Sequence, residues 1–236
     1  MKKSAKILAL AVALFSGLGA APAHAEGFKV GVDLVSSYVW RGGTLDDSPN
    51  IQPTLTYTLD NGIVLSGWGS YGVTEHGATQ QRYREVDLSV TVPAGPLSFS
   101  VVNYYLPYGK DAAHSKTFDF SKTGSNTVEA DVAYTSDDLS LLAAYNFAGA
   151  DTLPTTFDGH AYYGEASYKF YSGKDGYSAK AVAGAGSKYF YGGVGGSDKK
   201  LALVNTGISV SKDRYTASYV YNPISEQSSL VFMASF

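Results

Sequence analysis

Two stretches of the sequence carry paired carboxylates separated by a single residue. Glu85 and Asp87 form one pair, and Glu129 and Asp131 form the other. Side chains two residues apart in a β-strand project from the same face, so each pair would place two negative charges on one side of a sheet. Carboxylates that line a water-filled passage lower the energy of a passing cation. The chemistry that this spacing offers is therefore the attraction of cations.

The residues between these carboxylates indicate the element that positions them. Four apolar residues alternate with four polar ones over 85–92: Val86, Leu88, Val90 and Val92 against Glu85, Asp87, Ser89 and Thr91. The stretches 127–135 and 214–222 alternate in the same way. One face of each strand prefers hydrocarbon and the other prefers water, which is typical of transmembrane β-barrels.

The whole chain after the N-terminal segment divides into strands. We predict them near 28–40, 52–59, 63–71, 84–92, 97–105, 126–135, 139–148, 160–171, 177–188, 200–211, 214–222 and 229–236. Short connections at 60–62, 93–96, 136–138, 172–176 and 212–213 alternate with longer ones. The sequence therefore predicts an all-β fold at 26–236: a transmembrane antiparallel up-and-down β-barrel of about twelve strands, with short periplasmic turns and longer extracellular loops.

A soluble β-barrel or β-sandwich is the alternative fold, because its strands also alternate with a period of two. In that case the apolar face would fill a core. A twelve-stranded soluble barrel has a wide interior, and the small Ala, Gly and Val side chains of this chain would pack it poorly.

The N-terminal segment has the features of a cleavable signal peptide. Lys2, Lys3 and Lys6 precede an apolar stretch over 7–21, and Ala23 and Ala25 suit the cleavage positions, so we expect a signal peptide at 1–25. A retained N-terminal anchor helix is the alternative.

The charge of the chain changes when the signal peptide is removed. Cleavage would change 18 basic and 21 acidic residues to 15 and 21, a net charge of about −6, which disfavours nucleic acid as a partner. We expect the mature chain in the outer membrane of a Gram-negative bacterium.

Aromatic residues occur near the ends of the predicted strands, where two interfacial belts would lie. The outer belt would contain Tyr38, Trp40, Tyr71, Tyr104, Phe147, Tyr162 and Tyr221, and the inner belt Phe28, Phe99, Tyr134, Phe170, Tyr177 and Tyr215. Phe236 ends the final predicted strand. A terminal aromatic residue resembles the signal read by the outer-membrane assembly machinery, so we expect that machinery, periplasmic chaperones and outer-membrane lipid as partners.

Charged side chains that the alternation turns inward would line the barrel, since hydrocarbon excludes them. We predict Asp33, Arg41, Glu85, Asp87, Glu129, Asp131, Glu165, Lys169, Lys180 and Arg214 as pore-lining residues. One hypothesis is a narrow pore whose acidic outer half favours cations or polyols over anions. The other is a plug of salt bridges that only stabilises the interior.

The segment Ser36-Ser37-Tyr38-Val39-Trp40-Arg41-Gly42-Gly43 ends the first predicted strand. It resembles the N-terminal motif of the TorF-type porins, the Gcw_chp family of proteobacterial outer-membrane proteins. Asp33, the chain length and Phe236 also fit this family. The resemblance implies a barrel with a pore role, and it implies no catalytic residues. Within the motif, Tyr38 and Trp40 would face lipid. Arg41 would either lie only at the turn into the first loop or also line the pore mouth.

Catalysis is a rival function, because a barrel of this size can hold a Ser-His hydrolase site that acts on lipids. The predicted mature chain has three histidines, His76, His114 and His160, and it lacks a G-x-S-x-G nucleophile motif. There is no cysteine. We therefore predict no enzymatic activity, no cofactor and no metal site.

Passive diffusion of small hydrophilic solutes is the function that the sequence favours. A non-conducting structural or adhesive barrel is the alternative. No feature of the sequence defines an oligomeric state.

Overall fold

The computed structural model describes residues 27–75, 81–107, 116–122, 124–149, 160–193 and 200–236. The predicted signal peptide at 1–25 lies outside these ranges, as do His76 and His114. The elements in the described ranges are β1 (Gly27–Val35), β2 (Tyr38–Trp40), β3 (Gly43–Asp46), β4 (Asn50–Thr58), β5 (Val64–Gly72), β6 (Arg84–Ala94), β7 (Leu97–Tyr105), β8 (Asn126–Thr135), β9 (Leu139–Gly149), β10 (Tyr162–Ser172), β11 (Tyr177–Ser187), α1 (Lys188–Tyr191), β12 (Leu201–Lys212), β13 (Tyr215–Asn222) and β14 (Gln227–Ser235). Across these ranges, no helix is long and apolar enough to cross a membrane.

Twelve of the strands form one closed antiparallel barrel. β1 pairs with β4, each strand from β4 to β14 pairs with the next, and β14 pairs with β1 to complete the circle. Closure removes the unpaired sheet edges that an open sheet would expose. The predicted fold class, an antiparallel barrel of twelve strands, is confirmed.

Side chains alternate between the two faces of the barrel wall as the sequence pattern predicts. In β6, Leu88 is 57% exposed on the outside, whereas Glu85 is 5% exposed and points inward. β8 repeats the arrangement, with Val132 outside and Glu129 and Asp131 inside. The barrel is thus apolar outside and polar inside, the reverse of a soluble barrel with an apolar core.

The connections between strands differ in length at the two ends of the barrel. The connections 59–63, 95–96, 136–138, 173–176 and 213–214 form the short-turn rim. Gly62, Gly95 and Gly176 have positive φ angles there, which reverse the chain tightly. The opposite end, the long-loop rim, carries the longer connections and one four-residue turn at 223–226. The predicted alternation of short and long connections is therefore confirmed.

The first long connection is where the structure differs most from prediction. The predicted strand 28–40 ends at Val35, and residues 38–46 form a separate two-stranded sheet of β2 and β3, here called the lumen hairpin. Its turn is Arg41-Gly42, with φ angles of 49° and 84°. The Gly42 Cα lies so close to the Val204 backbone of β12 that a Cβ atom would overlap it.

The lumen hairpin folds into the barrel instead of extending the wall. Tyr38 is only 9% exposed, and its ring packs on Trp68 of β5. Thr44 Oγ1 lies 2.9 Å from Ser229 Oγ of β14. The hairpin therefore contacts β5, β12 and β14. Because at least four strands separate β5 from β12 around the wall, the hairpin crosses the lumen.

Candidate functional site

The tip of the lumen hairpin is attached to the barrel wall by an ion pair. Arg41 donates from Nη1 to Glu129 Oε2 at 2.6 Å and from Nη2 to Glu129 Oε1 at 2.8 Å. Arg41 Nη2 is also 3.9 Å from Asp131 Oδ1. The pairing is bidentate, the geometry in which a guanidinium binds a carboxylate most specifically. Arg41 and Glu129 are both buried, 6% and 0% exposed.

Aromatic side chains enclose this ion pair. The Arg41 guanidinium lies 4.5 Å from the Trp40 ring centroid and 4.6 Å from that of Tyr163. Tyr104 donates a hydrogen bond of 2.6 Å to Glu129, and Arg41 donates one of 2.9 Å to the Tyr191 hydroxyl oxygen. Burial alone would lower the pKa of Arg41, but the Glu129 carboxylate and neighbouring groups raise it well above its usual value. Arg41 is therefore a permanent cation.

A second polar network continues from Tyr163 along the lumen wall. Tyr163 donates to Glu165 Oε2 at 2.6 Å, and Asn205 Nδ2 donates to the Tyr163 hydroxyl oxygen and to Glu165 Oε2, both at 3.0 Å. Lys180 lies on the same inner face, on the neighbouring strand β11. The hydrogen bonds join β10 to β12 across the intervening strand β11, beneath the hairpin tip.

The base of the lumen hairpin is held separately. Asp46 accepts hydrogen bonds of 2.9 Å from the Ser48 backbone N–H and from Asn50 Nδ2. Ser70 then donates to Asn50 Oδ1 at 2.9 Å, and Gln52 donates to Ser70 Oγ at 3.1 Å. The hairpin is thus attached at both its tip and its base.

Acidic groups dominate the remaining inner face at the long-loop end. Glu85 accepts a hydrogen bond of 2.7 Å from Tyr83, whose ring packs on that of Tyr38. Asp87 Oδ1 has no hydrogen-bond partner among the described residues. Glu85 and Asp87 therefore add two carboxyl groups to the inner face beyond the Arg41–Glu129 ion pair.

The predicted pore-lining residues occupy several kinds of position. Six carboxylates lie on the inner face, namely Asp33, Glu85, Asp87, Glu129, Asp131 and Glu165. Lys169 lies at the short-turn rim, where its Nζ is 3.1 Å from Asp138 and 38% of its side chain is exposed. The inward position predicted for Arg214 is wrong. Arg214 belongs to the exposed turn 213–214, and its guanidinium lies over the Phe236 ring at 5.0 Å.

Most predicted belt aromatics lie on the outer surface. Eight are exposed there: Phe28, Tyr71, Phe99, Phe147, Tyr162, Phe170, Tyr177 and Tyr215. Tyr134 and Tyr221 are half-buried and share the outward faces of Val132 and Tyr219.

Three aromatics predicted to face lipid are instead inside the barrel. Tyr38 and Trp40 belong to the lumen hairpin, and the Tyr104 ring lies 5.6 Å from that of Trp40. Tyr104 and Trp40 lie inside because the Tyr104 hydroxyl and the face of the Trp40 ring contact buried charged groups. Tyr104 bonds to Glu129 and Trp40 stacks on Arg41, partners that the lipid face does not offer.

A cavity of about 260 Å³ opens between the lumen hairpin, α1 and the wall. Trp40, Tyr104, Phe190 and Tyr191 supply aromatic lining, and Asn146 and Ser225 supply polar lining. Asn146, Phe190 and Tyr191 were not among the residues predicted from the sequence. The Tyr-Phe-Tyr triplet at 189–191 was the sequence feature that could have indicated the aromatic pair, and in the structure Tyr189 and Tyr191 are buried.

His160, the one described histidine, lies at the long-loop end of β10, and its ring packs on Tyr145 at 5.5 Å.

No protein-family model and no curated protein matches the sequence. The resemblance of residues 36–43 to the TorF-type porins therefore stays a prediction. Among solved structures, the chain is similar to the outer membrane protein OprD from Pseudomonas aeruginosa, with a TM-score of 0.38 and 15% identity over 87% of this chain. It is also similar to Pseudomonas aeruginosa OccK5 (OpdH), with a TM-score of 0.33 and 11% identity over 89% of this chain. The chain spans 65% and 66% of the length of these two structures.

Proposed function

We propose that this protein is an outer-membrane porin for small hydrophilic solutes and that the lumen hairpin forms its constriction. The observation that carries this proposal is the polar inner face inside an apolar outer face. Leu88 and Val90 of β6 are exposed outside, while the alternate residues Ser89 and Thr91 point inward. An inner face of hydroxyls and carboxylates is stable when it is hydrated, which is the condition of a pore.

The size of the barrel supports a narrow pore. Eight strands enclose an interior that side chains fill, whereas sixteen to eighteen strands leave a wide aqueous channel. A barrel of twelve strands lies between these cases. Small inward residues such as Ser100, Ser167 and Ser218 occupy little of that interior. The hairpin then narrows the half of the lumen next to the long-loop rim.

A preference for cations is the finer part of the proposal. Glu85 and Asp87 lie on the inner face outside the Arg41 ion pair, whose guanidinium is bound to Glu129 and lies 3.9 Å from Asp131. Fixed carboxylates beside a hydrated passage attract cations and repel anions.

A non-conducting barrel is the second candidate, and one observation favours it. The hairpin is attached to the wall by Arg41 at its tip and by Asp46 at its base. A hairpin held in this way would act as a plug if it filled the whole cross-section.

Single-channel recording separates these candidates. The mature protein is refolded into planar bilayers beside a variant in which residues 39–44 are replaced by two glycines. If the protein is a pore, the mature protein should give discrete current steps and the variant should give larger ones. Steps from the variant alone would identify the hairpin as a plug. Folded barrels that give no steps in either form would refute the pore.

A further inference from the structure

We propose that the 260 Å³ cavity beside the lumen hairpin binds a monosaccharide-sized sugar that carries no negative charge. This inference rests on the proposed pore function for the route by which a sugar reaches the cavity, and it specifies the solute class. Binding itself is measured without conduction, so the two proposals can fail separately.

Asn146 is the side chain that most needs a ligand. It is 3% exposed and lines the cavity, yet neither its Nδ2 nor its Oδ1 has a hydrogen-bond partner among the described residues. A buried amide without partners is costly, and most such groups in folded proteins are satisfied. Ser225 Oγ lines the same cavity and is also without a partner in the described part of the chain.

The unpartnered groups match the hydroxyls of a sugar. A side-chain amide presents donors and an acceptor next to each other, and a hydroxyl group can both donate and accept. Two adjacent hydroxyls on one ring therefore satisfy both ends of the Asn146 amide. A carboxylate ligand would satisfy only its donor end.

The aromatic lining matches the other surface of a sugar. Trp40, Tyr104, Phe190 and Tyr191 border the cavity, with Trp40 5.6 Å from Tyr191 and 6.5 Å from Phe190 between ring centroids. A sugar ring has C–H groups on its faces and hydroxyls around its rim. Ligand sites commonly combine such apolar walls with a few polar groups that fix orientation.

Charge and size restrict the ligand further. Glu85 and Arg41 both line the cavity, but both terminal nitrogens of Arg41 are already bound to Glu129, so this cation is not available to pair with a negatively charged ligand. Pockets for drug-sized ligands have volumes of roughly 300–1,000 Å³. The volume of about 260 Å³ is smaller and suits a single sugar ring.

Tryptophan fluorescence of the folded mature protein in detergent micelles tests this inference. The chain has two tryptophans, and Trp68→Phe leaves Trp40, which lines the cavity, as the only reporter. The probes are D-glucose and D-glucuronate, which have the same ring and differ by the carboxylate. We expect saturable quenching by glucose in the millimolar range and at least tenfold weaker binding of glucuronate.

Variants assign the binding to the cavity. Asn146→Leu should weaken glucose binding at least tenfold, and Ser225→Ala should weaken it several-fold and serves as the test if Asn146→Leu does not fold. Ser218→Ala, an inward residue of β13 outside the cavity lining, is the matched control and should bind like the parent.

Three results would overturn the sugar site: no saturable quenching by glucose in the folded protein, equal affinity for glucuronate, or an equal loss of glucose affinity in Ser218→Ala. The first of these leaves the pore proposal intact if the same protein conducts. Glucose binding by a protein that gives no conductance steps would keep the sugar site and refute the pore.

Discussion

Arg41 and Glu129 lie 88 positions apart in the chain, and two hydrogen bonds of 2.6 and 2.8 Å join them inside the barrel. Glu129 belongs to the wall, whereas Arg41 belongs to the hairpin that crosses the lumen. Because both groups are buried, neither can return to water without moving the hairpin. A shift of the hairpin would therefore separate Arg41 from Glu129 and leave a buried charge in the wall without its partner.

Removal of either partner of this ion pair should be strongly destabilising. Arg41→Ala leaves the buried Glu129 charge unpaired, and Glu129→Ala leaves Arg41 unpaired; each should lower the free energy of unfolding by about 3–5 kcal/mol. The double variant should lose less than the sum of the two. Denaturant titration in lipid vesicles measures these values. Lys169→Ala, which breaks the exposed pair with Asp138, should cost at most about 1 kcal/mol. Additive losses in the double variant would show that the two residues act independently.

The close approach of Gly42 to β12 should make this glycine hard to replace. Gly42→Ala places a Cβ against the Val204 carbonyl, in addition to the strain of a φ of 84°. Gly95→Ala is the matched control, because Gly95 has a φ of 64° but open space around it. We expect Gly95→Ala to cost about 1 kcal/mol of stability and Gly42→Ala clearly more. Equal costs would mean that the hairpin tip does not press on β12.

A disulfide can test whether the hairpin occupies the lumen. Thr44 Oγ1 and Ser229 Oγ are 2.9 Å apart, and the chain contains no cysteine of its own. Thr44→Cys combined with Ser229→Cys should therefore oxidise to an intramolecular disulfide that free-thiol titration and non-reducing electrophoresis detect. Each single cysteine variant is the control and should keep one free thiol. Persistent free thiols in the folded double variant would place the hairpin elsewhere.

Lipid contact on the outer face predicts a contrast between neighbouring residues of β6. Leu88 points outward and Ser89 points inward. Leu88→Arg should reduce the free energy of unfolding in vesicles by about 2–4 kcal/mol, since a charge near the bilayer midplane is costly. Ser89→Arg should cost less because the polar lumen can hydrate the guanidinium. The opposite order would invert the assignment of the two faces.

Asp87 should contribute to ion selectivity if the lumen conducts. Asp87→Asn removes an inner-face carboxylate, and the reversal potential in a salt gradient should move toward the value of a non-selective pore. Asp60→Asn, in the exposed short turn 59–63, has the same charge change away from the lumen and should leave the potential unchanged. An unaltered reversal potential in Asp87→Asn would remove this carboxylate from the selectivity mechanism.

The barrel could be predicted from the sequence because its signals are local. A period of two over 85–92 and the short turns between strands depend only on neighbouring residues, and they gave the twelve strands within a few positions. The inward position of Glu129 followed from the same alternation. These features need no knowledge of what lies across the lumen.

The lumen hairpin could not be predicted in this way because its stability comes from distant partners. Tyr38 and Trp40 alternate like residues of a membrane strand, and only their contacts with Trp68 and Tyr191 show that they lie inside. Arg41-Gly42 could have been read as a hairpin turn, since glycine favours the positive φ that such turns require. Asn146 gave no signal, because a single amide in an alternating strand is common.

The closure of the barrel has a consequence for the order in which it assembles. β1 and β14 share three paired positions, while β1 and β4 share nine. Two further hydrogen bonds of 3.0 and 3.1 Å join Val32 and Phe236. This seam joins the two ends of the described chain, so closing it costs more chain entropy than joining adjacent strands. We therefore expect β1 and β14 to pair last. Until they pair, the lumen hairpin can enter the barrel from the side through the gap between these two strands, and this route closes once the barrel is complete.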